Sequence, residues 1–439
     1  MTKEEACEIL LTGQNVFLTG AAGTGKTYLL NSYVDYLKKN RIPVAVTAST
    51  GIAATHMDGR TVHSWSGIAL RKKLSTKELD ELFYNTFTNE RITGARVLII
   101  DEISMLEERV FTLLDTVCKW VRKNSHPFGG LQIVICGDLF QLPPVPSKGE
   151  PPPRYAFHSS AWAGANFRVC YLEKQFRQED PTFLEMLNAI RNSKVTRETL
   201  QILKTRLNQP IHGFPKPTKL YSHRVDVNAI NDFELAQLKT EPHIYLMQSH
   251  GEADLVRALI ESCLAPAELV LKKGALVMFV RNNFGEGYVN GTLGTVVDFE
   301  EEAPHYPVIE VKSGTRITAR PTMWVNLDPD EKVVASISQV PLRLAWAITI
   351  HKSQGMTLDA AEINLGKAFG HGMGYVALSR VRTLEGIKLV GINDVALRVS
   401  PEVAAFDAEL RRQSDGTRAE LVGMDRSLVE RLQEDFRIR

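Results

Sequence analysis

Short apolar runs alternate with helix-length amphipathic stretches through the first third of the chain. Val16-Phe17-Leu18 is a brief strand-like run that ends in a Gly-rich turn, and the amphipathic segment TYLLNSYVDYLKKN follows it. The runs Ile42–Ala48, Val97–Ile100 and Ile133–Cys136 repeat the pattern. Apolar strands separated by helix-length segments predict a parallel sheet covered on both faces. Arg60–Asn89 is polar and reads as an irregular insertion, and QLPPVPSKGEPPPR (Gln141–Arg154) reads as a linker or rigid surface loop. A second α/β region is expected to open near Cys170, with helical FLEMLNAIRNSK and the strand-like Lys219–His223.

From about Ala267 to Val340 the pattern changes. ALVMFVRNN, NGTLGTVVDFE, YPVIEVKSG and RITARPTMWV are short strands punctuated by Gly, Asn and Pro, which predicts a small barrel-like module. The α/β pattern resumes at Leu342–Ile350, so the β-rich block reads as an insertion. The stretch from about Ser400 is charged and helix-prone, with few apolar anchors. No internal repeat of fixed short period is present.

Composition refines this picture. With 439 residues, 44% hydrophobic and 23% charged, the chain has apolar material for several cores. No run approaches a membrane span, and the acidic N-terminus MTKEEACEIL lacks the features of a targeting segment, so a cytoplasmic, nucleoid-associated location is expected. Five scattered cysteines (Cys7, Cys118, Cys136, Cys170, Cys263) with no Cys-x-x-Cys pair disfavour a zinc site or a disulfide framework. Net charge is only +1, so any nucleic-acid binding must come from a local groove.

Gly20-Ala-Ala-Gly23-Thr24-Gly25-Lys26-Thr27 matches G-x-x-x-x-G-K-[ST]. Its glycines let backbone N–H groups curl around a β-phosphate, Lys26 meets the β/γ-phosphates, and Thr27 offers a hydroxyl to Mg²⁺. The run Arg96–Ile100 ends in Asp101-Glu102; after a phosphate loop, Asp101 is expected to hold Mg²⁺ and Glu102 to activate water. Gln141, just past the next strand, is either a γ-phosphate sensor or a loop residue. Thr47–Ala54, with Thr50 and Gly51, suits either a phosphate contact or an N-capped helix. His63 and Trp65 can stack on bases or simply pack. Arg177 and Arg380 read as arginine fingers presented by a second α/β domain, or as surface ion pairs. His351-Lys352-Ser353-Gln354-Gly355 ends a strand with donors that suit a phosphate backbone or a coupling loop.

Taken in order, GAAGTGKT, TASTGIAA, GRTVHSWSGI, VLIIDEISML, GDLFQLPPV, LEKQFRQ, AWAITIHKSQGMTLD and GYVALSRVRTLEGI resemble the motifs of superfamily 1, B-branch helicases. The Pif-type DNA helicases are the closest likeness, in a compact bacterial or phage-like form, with RecD-type enzymes as near relatives. The likeness covers about Gly13 to Asp394. It implies an α/β fold of two RecA-like P-loop domains, with a small wedge insertion in the first and an SH3-like β-barrel inserted in the second. The implied boundaries are 1–170 for the first domain with its wedge at about 59–74, 171–230 and 341–400 for the second, 231–340 for the insertion, and 401–439 for a helical tail.

The resemblance assigns Gly20, Gly23, Thr24, Gly25, Lys26 and Thr27 to ATP, Thr27 and Asp101 to Mg²⁺, and catalysis to Lys26, Glu102, Gln141, Arg177 and Arg380. Thr50, Gly51, His63, Pro143, His351, Lys352 and Ser353 fall in segments that in this family lie along single-stranded DNA. The implied activity is ATP-driven 5′→3′ translocation and unwinding of forks, RNA–DNA hybrids and G-quadruplexes in genome maintenance. The expected partners are single-stranded and forked or structured DNA, with the chain a monomer in their absence. One departure stands out: family members often carry a Gln ahead of the phosphate loop that reads adenine, and Lys3–Cys7 holds none. The rival readings are a switch-type P-loop ATPase, which would not need both arginines, and a translocase that strips proteins without separating strands.

Overall fold

A computed structural model describes residues 1–438, except 58, 70, 147–148, 179, 212–216, 284 and 328–331. Residue 70 of the expected wedge and residues 147–148 of the turn-rich segment thus lie outside the described residues. The chain divides into two compact units. The first comprises Met1–Lys194, Gly370–Tyr375 and Arg398–Arg439, and the second comprises Val195–Phe369 and Val376–Leu397.

The first unit is built on a parallel sheet, as the alternation predicts. Its strands are β1 (Val16–Gly20), β2 (Val44–Ala48), β3 (Arg60–Thr61), β4 (Val97–Asp101), β5 (Gln132–Gly137) and β6 (Arg168–Leu172), in the order β3-β2-β4-β5-β1-β6. β1, β4 and β5 are buried at every residue, which explains their continuous apolar sequence. Helix α1 (Lys3–Leu10) starts in a Thr2–Glu5 capping box, and α2 (Lys26–Lys39) follows the Gly-rich turn. Together they cover one sheet face through Ala6, Ile9, Leu10, Leu29, Leu30, Val34 and Leu37, each large side chain contributing about 1.5–3 kcal/mol by burial. Tyr33 ties the layer to the sheet, its hydroxyl 2.7 Å from Gln132 Oε1.

Three expectations need correction. Cys170 does not open a second α/β region: it lies in β6, paired with β1, and the first unit continues through the helix Pro181–Arg191. Arg60–Asn89 is not irregular. Arg60–Thr61 adds to the sheet edge, and the helices Val62–Ser66, Thr76–Tyr84 and Thr86–Gly94 follow, each capped by the side chain of Thr61, Ser75 or Asn85. The polarity that suggested a loop is partly cap chemistry. The final stretch is anchored after all, because the helices Pro401–Gly423 and Arg426–Ile438 bury Val403, Leu410, Val429 and Phe436. Too few apolar positions mark that burial because polar side chains, Asp407, Ser414 and Thr417, share it.

The second unit holds a four-stranded parallel sheet in the order Ala347–Thr349, Thr218–Tyr221, Ala361–Leu365, Ile387–Ile392. Its β-rich block forms a five-stranded antiparallel sheet in the order Arg316–Thr318, Pro307–Val311, Leu293–Phe299, Leu276–Phe279, Leu342–Leu344. Smaller antiparallel sheets flank it in sequence, and Tyr245, Leu269, Val277, Phe279, Val296 and Ile309 form its core. Among the described residues no helix is long and apolar enough to cross a membrane.

Candidate active site

β1 delivers the chain into a loop that only glycine can make. Gly23 and Gly25 sit at φ +85° and +86°, in the left-handed region that favours glycine. A Cβ on Gly23 would stand 2.6 Å from Arg177 Cβ, and one on Gly20 would stand 2.4 Å from the Leu172 carbonyl oxygen. The loop ends at the N-terminus of α2, where unpaired N–H groups and the helix dipole favour an anion. Thr24 is buried and its Oγ1 donates to the Ala21 carbonyl at 2.9 Å, while Thr27 is exposed on the first turn of α2. Lys26 Nζ donates to the carbonyls of Gly20 and Ala21 at 2.8 and 2.9 Å. Burial pushes its pKa down, opposed by Asp138, Cys136 and Glu102. A cation held by neutral carbonyls beside a curl of N–H groups fits a polyphosphate.

Asp101 ends β4 and is buried. Its Oδ1 accepts the Glu102 N–H at 2.8 Å, and burial pushes its carboxyl above the usual range despite that bond. Glu102 takes a left-handed backbone at φ +51°, uncommon for a residue with a side chain. Ser49 holds this turn: its Oγ donates to the Glu102 carbonyl at 2.7 Å and its N–H to the Asp101 carbonyl at 3.1 Å. Past β5, Gln141 is buried and its N–H donates to the Asp138 carbonyl at 3.0 Å. The Gln141 Oε1 has no partner among the described residues, which is costly unless a donor arrives, about 1–3 kcal/mol.

Arg177 belongs to this same first unit, not to a second domain as the sequence suggested. The Phe176 N–H donates to the Gly23 carbonyl at 2.8 Å, laying the segment along the phosphate loop. Arg380, His351, Lys352 and Ser353 belong to the second unit. Arg380 is buried, with Nε donating to the Val376 carbonyl and Nη2 to Ser379 Oγ, both at 2.8 Å.

Of the residues linked by resemblance to DNA, Thr50 caps the helix α3 (Gly51–His56), accepting the Ala53 N–H, so the capping reading holds there. Gly51 opens that helix and Pro143 is half-buried beyond Gln141. His63 is pushed below the usual imidazole range by burial, against Glu107. His351 is lowered by burial as well, and Lys352 is pushed down to about 8 by burial, then by Arg343 and Arg224. Ser353 is buried, its hydroxyl donating to the Ile350 carbonyl at 2.8 Å.

Sequence reasoning missed the network beneath the phosphate loop. The Tyr375 hydroxyl accepts the Ala22 N–H at 2.9 Å and donates to Asp138 Oδ2 at 2.9 Å. Asp138 is fully buried and pairs with Arg191 Nη2 at 3.0 Å; burial opposes its charge, yet Arg191 and Lys26 hold it below the usual carboxylate range. Tyr171 in turn donates to Asp407, which also receives Arg411. No spacing rule joins residues so far apart, and the Gly-Asp pair ending β5 is the only local signal.

Residues 5–201 match the family model for the PIF1-like helicase, and residues 254–299 match the model for the 2B domain of DNA helicase Pif1. The chain is 41% identical, over 99% of its length, to the ATP-dependent DNA helicase Pif1 of Psychrobacter sp. (strain PRwf-1), of which it covers 74%. The chain belongs to the PIF1-like helicase family. It is also 37% identical to the ATP-dependent DNA helicase PIF1 of Xenopus laevis, over 92% of this chain but only 63% of that protein's length. The crystal structure of Pif1 helicase from Candida albicans superposes with a TM-score of 0.81 at 34% identity, covering 93% of this chain and 98% of that one. Bacteroides sp Pif1 in complex with ADP-AlF4 gives 0.79 at 32% identity, covering 95% and 98%. Bacteroides Pif1 bound to ssDNA gives 0.66 at 33%, covering 94% and 97%. PIF1-like helicases are ATP-hydrolysing DNA helicases.

Proposed function

We propose that this PIF1-like helicase translocates 5′→3′ on single-stranded DNA and unwinds forks, RNA–DNA hybrids or G-quadruplexes during genome maintenance. The observation that carries the reading is the convergence, at the carboxyl ends of three adjacent central strands of the parallel sheet, of the Gly20–Thr27 loop after β1, the Asp101–Glu102 pair after β4 and Gln141 after β5. Ligands of such sheets gather at the carboxyl ends of the strands. In this reading the loop amides and Lys26 hold the β- and γ-phosphates, and Thr27 and Asp101 hold Mg²⁺. The metal, when bound, neutralises charge on the phosphates. Glu102 takes a proton from the attacking water, and Gln141, buried beyond β5, senses the γ-phosphate. Arg177 and Arg380 act as the two arginine contacts to the γ-phosphate.

Thr50, Gly51, His63, Pro143, His351, Lys352 and Ser353 mark the segments that run along the strand, by likeness to relatives crystallised with single-stranded DNA. The stretch 59–74 acts as the wedge, and the five-stranded antiparallel sheet supplies the SH3-like barrel. The test is ATP hydrolysis with and without a single-stranded oligonucleotide, Lys26→Ala as control, followed by strand displacement from duplexes with a 5′ or a 3′ tail. Strong stimulation lost in the variant, with displacement only from the 5′ tail, is the expected result. Turnover indifferent to DNA would favour the switch-type ATPase, and displacement from the 3′ tail alone would reverse the polarity.

A further inference from the structure

The short segment Gly370–Tyr375 belongs to the first unit, although the second unit flanks it in sequence on both sides. The Gly372 N–H donates to the Arg398 carbonyl at 2.9 Å. The Gly372 backbone, at φ +77°, lies so close to the turn after β5 that a Cβ there would stand 2.6 Å from the carbonyl oxygens of Phe140 and Gln141. Tyr375 is buried, and its hydroxyl joins the Ala22 N–H of the phosphate loop to Asp138 Oδ2. Asp138 in turn organises the residues that lead to Gln141. Its Oδ1 accepts the Phe140 N–H at 3.3 Å and Arg191 Nη2 at 3.0 Å, and its carbonyl accepts the Gln141 N–H at 3.0 Å. Arg191 also lies over the Phe140 ring, 4.3 Å from its centroid.

We infer that Tyr375 is a positioning residue for hydrolysis: with Gly372 it clamps the phosphate loop to the Gln141 turn, so that the bound phosphates and their sensor meet at a fixed distance. This rests on the nucleotide reading of the loop and of Gln141 given above. Buried ion pairs are a poor source of stability, because apolar side chains of the same volume often serve a core as well. What Asp138, Arg191 and Tyr375 add is direction. An ionised carboxylate only accepts, so the single Tyr375 proton points at Asp138 and the oxygen lone pairs are left for the Ala22 amide. A diphosphate needs only the loop amides and Lys26. The transferred γ-phosphoryl must meet the loop and Gln141 together, and a misplacement of about 1 Å there costs about a hundredfold in rate. The clamp therefore acts on the transition state rather than on binding.

The test is the split between kcat and nucleotide affinity in the full chain carrying Tyr375→Phe. ADP and ADP-AlF4, a mimic of the transferring phosphoryl group, are the binding probes, and oligonucleotide affinity counts the folded fraction. The kcat per folded molecule should fall by about tenfold to a hundredfold, and ADP-AlF4 affinity by a similar factor, while ADP affinity stays within about twofold. Gly372→Ala leaves Tyr375 and the loop unaltered but drives a Cβ against the Phe140 and Gln141 carbonyls, and it should give the same split. A side chain that only supports the fold would leave kcat per folded molecule and ADP-AlF4 affinity unchanged, and that result overturns the inference. A loss of ADP affinity equal to the loss of kcat overturns it too, because the loop itself would then have collapsed. A wild-type chain that binds neither ADP nor ADP-AlF4 overturns the nucleotide reading, and the clamp with it.

Discussion

Glu102 holds a left-handed backbone at the end of β4, and Ser49 pins the carbonyls on either side of it. A turn so fixed positions one carboxylate for one task. Glu102→Gln should therefore keep nucleotide affinity, since Thr27, Asp101 and Lys26 remain, and lose about two to four orders of magnitude in turnover. Single-turnover hydrolysis alongside equilibrium nucleotide binding measures the split; near-normal turnover would remove Glu102 from its role. Lys352 offers a second residue-level test. Its folded value, about 8, lies below the ordinary 10.5. Burial of its charge therefore opposes folding below about pH 8, and that opposition fades as pH rises from about 8 toward 10.5. As a phosphate contact it should lose its charge as pH rises through about 8. The salt dependence of oligonucleotide binding should then flatten by about 0.7 in log–log slope between about pH 7 and pH 9, and not in Lys352→Ala.

The phosphate loop and the carboxylate pair were legible because their chemistry is local in sequence. Asp138, Arg191 and Tyr375 were not, because Arg191 lies 53 and Tyr375 237 positions from Asp138.

At the scale of elements, capping and burial decided what pattern alone could not. Arg60–Asn89 looked like loop because Thr61, Ser75 and Asn85 spend polar side chains on helix starts. The strands of the β-rich block were legible from their turns, and the parallel strands from their unbroken apolar runs. The helix Pro401–Gly423 was read as weakly anchored, yet it carries Asp407 and Arg411 to the Tyr171 hydroxyl, and Ser414 to the Tyr171 N–H. Tyr375, in the helix Met373–Leu378, links a phosphate-loop amide to Asp138 through one hydroxyl. Tyr375→Phe keeps the ring and leaves both partners buried without it. It should lower stability by about 1–3 kcal/mol in urea unfolding, while Phe at an exposed tyrosine such as Tyr84 should change almost nothing. An unchanged midpoint for Tyr375→Phe would mean that the hydroxyl bond contributes no net stability.

Over the whole molecule the charge balance is nearly even, +1 across 439 residues, so no long-range field draws the chain to nucleic acid. Affinity must come from counterions released along a local track. Binding of a single-stranded oligonucleotide should weaken steeply with salt, by about 0.7 in log–log slope for each phosphate contacted, and titration at several salt concentrations counts those contacts. A flat response would leave no groove to account for. The place where the first unit ends was not legible, because a parallel strand such as β6 carries no mark of which sheet it joins.

The first unit is also assembled from distant parts of the chain. β6 and the buried pair Asp138–Arg191 are covered by the helix Pro401–Gly423, and Phe436 packs where a Cβ on Gly13 would have to stand. On the ribosome, the first two hundred residues emerge long before their cover does. They must wait, with apolar strand and ionic core open to solvent, until residues beyond 398 leave the tunnel. Such long-range closure slows folding and prolongs exposure to aggregation. Removing the helices beyond residue 398 would therefore uncover β6 and the Asp138–Arg191 pair beneath the phosphate loop.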